Sequence, residues 1–74
     1  GGLSPSNLEL MVQRLVNKYV DADSEIMEMI ATLIGCLGVW QETAVKIVIK
    51  SSGHRESGVR RAAVRAVTAL LEAH

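Results

Sequence analysis

Cys36, His54 and His74 are the side chains of this sequence that a nucleophile and a base would be made from, and Lys50, Arg55, Arg60, Arg61 and Arg65 are those that would grip a phosphate. Neither set is arranged for the chemistry. Cys36 lies in the apolar run Ser24–Leu37 with no cation close to it in the sequence, so packing is its expected role. His54 falls in a turn and His74 at the last position. Arginine is the better phosphate fork, so nucleic-acid binding through the fourth helical segment is one reading of the cations. No aromatic residue is interleaved with them to stack on bases, and a solvated stripe is the simpler reading. Trp40 stands at a corner, where a half-exposed indole either anchors a protein partner or plugs a gap between helices. No cofactor or metal-ligand spacing is present, and the chain reads as non-enzymatic.

The elements that must position these residues are helical. With 74 residues, a single cysteine and 49% hydrophobic content, one small domain without disulfide or zinc is expected, in a reducing, intracellular setting. One Trp, one Tyr and no Phe make the core aliphatic, which suits helix-on-helix packing. There is no apolar run of membrane-spanning length and no leader pattern, so no membrane partner is expected. Net charge is zero but divided. Residues 1–37 carry two basic against five acidic side chains, and residues 38–74 carry six against three. Gly1-Gly2 reads as an expression scar, leaving one domain over residues 3–74.

Ser4-Pro5 opens a first helix reaching about Val20, with Ser4 as cap, Pro5 at the first position and Leu3 stapled to Leu8. Leu8, Met11, Val12, Leu15, Val16 and Tyr19 form its buried face. Asp23 or Ser24 caps a second helix ending at Gly38. It is apolar on nearly every side, with Glu25, Glu28, Thr32 and Gly35 as a narrow solvent stripe, and so should touch helices one, three and four. Residues 45–50 are β-branched and partly alternating, yet a lone strand would have nothing to pair with, and Glu42 and Lys46 have helical spacing. A third helix is therefore expected over about residues 41–52. Ser57 then caps a fourth reaching about Ala73.

Sliding the chain along itself until Met11 meets Ala44 brings its two halves into register. Met11-Val12 then falls on Ala44-Val45, Leu15-Val16 on Val48-Ile49, Met29-Ile30 on Ala62-Ala63 and Leu33-Ile34 on Ala66-Val67. Glu28, Thr32 and Gly35 fall on Arg61, Arg65 and Thr68. The run Glu56-Ser57-Gly58-Val59-Arg60-Arg61-Ala62-Ala63, continued by Val64-Arg65-Ala66-Val67-Thr68-Ala69-Leu70, resembles a HEAT repeat. Repeat one would span residues 4–37 and repeat two residues 41–73. The resemblance implies an all-α fold of two antiparallel helix pairs stacked as a fragment of an αα-superhelix, with the first helices in one layer and the second in the other. It also implies a ladder in which Asp21 reaches Arg60. Met27 and His54 depart from the family pattern, so only that one rung is expected.

Two repeats are fewer than such stacks ordinarily contain, and Val64, Val67 and Leu71 are expected to lie uncovered. The chain is accordingly read as part of a longer array or as self-associating. Gly35-Cys36-Leu37-Gly38 also matches the GxxG of a KH loop, but its middle residues belong to an apolar helix rather than a backbone-gripping loop. The function expected is a scaffold or interaction module for a protein or peptide, with Trp40, Glu28, Arg61 and Arg65 as contact residues. Nucleic-acid binding and homo-dimerisation are the alternatives.

Overall fold

Four helices account for nearly all of the chain: α1 (Pro5–Tyr19), α2 (Ser24–Leu37), α3 (Glu42–Ser51) and α4 (Ser57–Ala73). The computed structural model describes residues 4–74, so the Gly1-Gly2 pair and the Leu3 half of the staple lie outside the described residues. Helix starts follow local chemistry. Ser4 Oγ accepts the Asn7 N–H and Asp23 Oδ1 accepts the Ile26 N–H, each satisfying a donor that the first turn leaves open. Gly38 closes α2 in the left-handed region at φ 65°, with its N–H returned to the Ile34 carbonyl. Residues 45–50 are helical, because Val48 packs into the core while Lys46 turns outward to Glu42 at 3.1 Å. The start of α4 differs from expectation: Glu56, not Ser57, takes the cap position, and no side chain bonds the first turn.

The helices form two layers. α1 packs on α2 and α3 on α4 as antiparallel pairs, while α1 also lies along α3 and α2 along α4. Within each layer the neighbours run parallel. Gln13 meets Gln41 and Tyr19 meets Ser51 in one layer; Glu28 approaches Gly58 and Gly35 approaches Ala66 in the other. The three side-chain hydrogen bonds between the helix pairs join residues 28, 32 and 36 apart, close to the repeat offset, as expected when one pair is translated onto the next.

The core is aliphatic and small, with Ile34, Leu70, Val12, Val48 and Val59 as its largest fully buried side chains. The α2–α4 junction is the most extensive, and its close approach comes from residues with little or no side chain, Ala31 and Gly35 against Ala62 and Ala66. In the α1–α3 layer the contact is partly polar. The Tyr19 and Ser51 hydroxyls bond to each other where both residues are buried. Gln41 accepts the Ala44 N–H at 2.6 Å, so it caps α3, and donates to Gln13 Oε1 at 2.6 Å, which ties the cap to α1.

The phase of α2 differs from the expected one. Gly35 is not on a solvent stripe but faces α4, and a Cβ placed on it would lie 2.9 Å from the Ala66 Cα. The exposed side carries Met29, Leu33 and Cys36 as well as Glu25, Glu28 and Thr32. α2 packs chiefly along α4 and α1. On α1, Met11 is likewise exposed rather than buried. On α4, Val64 and Leu71 are uncovered as expected, whereas Val67 packs against the core.

Candidate functional site

The sequence-derived contact residues fall in three places. Arg61 and Arg65 stand one turn apart on the exposed side of α4, and neither lies within ion-pair distance of a carboxylate; Lys46–Glu42 is the one ion pair among the described residues. Arg65 borders a shallow recess of about 260 Å³ between α2 and α4, walled by Thr32 and Cys36 and floored by Gly35, Ala66 and Ala69. The floor is low because its residues are small, so the recess is a product of the same close approach that joins the layers. Arg61 and Arg65 also border a second recess with Ser52, Arg60 and Val64, at the outer end of the second helix pair.

Glu28 does not neutralise either arginine. Its carboxylate lies over the first turn of α4, in the space left by the missing side chain of Gly58, where a Cβ would collide with it. That turn has no acidic residue of its own and no side-chain cap, so Glu28 supplies from α2 the negative charge that the positive end of a helix dipole favours.

Trp40 is separate from this face. It is half-exposed beyond the end of α2, with its indole edge-on to the His74 ring at 5.7 Å and 65°. His74 Nε2 donates to the Gly38 carbonyl at 2.7 Å, so the end of α4 is tied to the turn that carries Trp40. Glu28 and Trp40 thus mark opposite ends of α4, a 17-residue helix about 25 Å long. Trp40 also borders a cleft between the starts of α1 and α3, with Ser6, Leu10 and Gln13.

The Asp21–Arg60 rung does not form. Arg60 Nη1 instead donates to the His54 and Arg55 carbonyls at 2.9 and 2.8 Å, which staples the turn between α3 and α4. A guanidinium only a turn or two along the chain from those carbonyls reaches them without crossing to the other repeat, and Asp21 is left exposed. The His54 ring is also used locally, its Nδ1 accepting the Glu56 N–H at 3.0 Å.

Cys36 is exposed rather than packed, and neither imidazole hydrogen-bonds to it. Among the described residues, no group of three or more His, Cys, Asp or Glu side chains could hold a metal ion, and no helix is long and apolar enough to cross a membrane. Gly35-Cys36-Leu37 is the last turn of α2 and Gly38 its cap, so the GxxG is not a loop. Sequence reasoning missed the channel between α2 and α4 as a feature. Its signal was the coincidence of Gly35 with Ala62, Ala66 and Ala69, small residues on two helices that the internal repeat sets side by side. No protein-family model, no curated protein and no solved structure matches this chain.

Proposed function

We propose that this chain is a non-enzymatic interaction module of HEAT-repeat type, and that the channel between α2 and α4 holds an acidic segment of a protein partner. The observation that carries the reading is Arg65 at the lip of an apolar recess, with Arg61 one turn away on the same exposed side of α4, both without carboxylate partners. A polypeptide laid along two parallel helices would bury side chains over Gly35, Ala66 and Ala69 and place carboxylates against the two guanidinium groups. Arginine favours such planar, bidentate pairing. The internal repetition and the parallel stacking of both layers support the repeat assignment, which otherwise rests on the run from Glu56 to Leu70.

Titration with a glutamate-rich amphipathic peptide, followed by amide chemical shifts, tests this. The expected result is a set of shifts confined to Thr32, Gly35, Cys36, Arg65, Ala66 and Ala69, with affinity about tenfold or more weaker in the Arg61→Glu/Arg65→Glu double variant. Shifts scattered elsewhere, or unchanged affinity in the variant, would remove the proposal. A duplex DNA titrated in parallel at two salt concentrations addresses the nucleic-acid reading. Tight, steeply salt-dependent binding to the same residues would replace an acidic protein by nucleic acid.

A further inference from the structure

Of the nine large apolar side chains exposed among the described residues, five are repeat equivalents of residues buried inside the stack. On the first end, Met29 is 60% exposed, and its equivalent in the second repeat, Ala62, is 6% exposed. On the second end, Val64 is 51% exposed, and its equivalent in the first repeat, Ala31, is fully buried. The same holds for Leu33 and buried Ala66, for Met11 and buried Ala44, and for Ile49 and buried Val16. Leu10, Val20, Trp40 and Leu71 have equivalents that are not buried. Each end therefore carries apolar groups where the interior junction carries them.

The interior junction is also heterologous: one side of the first helix pair meets the opposite side of the second, with helices parallel. Repeating that contact between two molecules carries the Glu28–Gly58 approach onto Arg61 of one copy and Glu25 of the next, which are opposite in charge. At the Gly35–Ala66 approach the equivalents are Thr68 and Leu33, whose larger side chains hold two copies further apart than α2 and α4 and meet through methyl groups. The acidic first half of one copy is set against the basic second half of another, as the division of charge along the chain requires.

We infer that a second copy of this chain docks head to tail, its Met11–Met29–Leu33 end seated on the Ile49–Val64–Leu71 end of the first. A contact of this kind leaves one unused end at each terminus of the assembly and so propagates beyond the dimer. The contact engages Arg61, which the peptide reading also uses. Arg65 stays outside the contact, because its equivalent, Thr32, remains exposed beside the interior junction.

Sedimentation velocity over about 10 μM to about 1 mM, the range of a modest interface, tests the inference. The wild-type chain is expected to grow past the dimer as concentration rises. Leu33→Glu, at one end, and Val64→Glu, at the other, should each weaken association by about thirtyfold or more by placing an unpaired charge in an apolar contact. Mixed, the two variants should form a one-to-one dimer and stop there, since each retains the end that the other lacks. Both positions are half-exposed in the monomer, and helical circular dichroism checks that each variant folds. Met29→Glu with Leu71→Glu provides a second pair. A wild-type chain that stays monomeric throughout overturns the inference, as does a single variant that dimerises alone or a mixture that does not.

Discussion

Gly35→Val is expected to lower the free energy of unfolding by about 3 kcal/mol, a large part of the roughly 4–11 kcal/mol that a domain of this size has. The reason is local and severe. A Cβ at this position meets the Cα of Ala66 at 2.9 Å and its Cβ at 3.2 Å, so the collision is with main chain that no rotamer change can relieve. Either α2 and α4 move apart, which opens the most extensive junction of the fold, or α2 bends. Gly35→Ala makes the same collision with one carbon and gains about 1 kcal/mol of helix propensity, so a net loss of about 1–2 kcal/mol is expected. Gly58→Ala is the control. Its new methyl would strike only the end of the Glu28 side chain, which can swing into solvent, so stability should change by less than about 1 kcal/mol. Urea unfolding of the three variants checks the order. Equal effects at positions 35 and 58 would contradict the packing described for α2 against α4.

The second large effect is expected in the other layer. Tyr19→Phe should cost about 1–2 kcal/mol, and Ser51→Ala about the same, because each leaves the surviving hydroxyl without its partner in a buried position. The double variant removes both polar groups and should cost about 1 kcal/mol less than the sum of the two. The coupling is the informative quantity. It reports directly on contact between the ends of α1 and α3, through two residues 32 apart in sequence. Additive costs in a thermal or urea series would mean that the two hydroxyls do not meet.

Much of this architecture was legible because helix ends are written in local chemistry. Ser4-Pro5, Asp23 and Gly38 each act through groups within a few residues, and the helices begin and end there. The helicity of residues 45–50 followed from a wider constraint, since an extended segment would have had no partner. What was not legible was the phase of α2. A glycine has no side chain to label its face, and among so many apolar residues Gly35 fell by exclusion onto the line of Glu25, Glu28 and Thr32. The structure turns it inward because only there can α4 come so close. Met29, Leu33 and Cys36 then face solvent in an isolated chain.

The candidate site was legible in part. Arg61 and Arg65 could be placed together by their spacing, but the position of Glu28 could not. Nothing in its own helix shows that α4 begins without a cap. Arg60 was misassigned for a similar reason. A long side chain chooses between a carboxylate on another repeat and carbonyls in the turn just before its own helix, and that choice depends on the path of the turn. Trp40 was placed correctly at a corner, yet its ring contact with His74 depends on α4 reaching back to the end of α2.

The stacking of one helix pair on the other is most directly tested by the nuclear Overhauser effect between the Gly35 α-protons and the Ala66 methyl. At the separation described, this cross-peak should be among the strongest long-range signals in the spectrum. Its absence, in a protein that still shows contacts within each hairpin, would mean that the pairs do not share an interior.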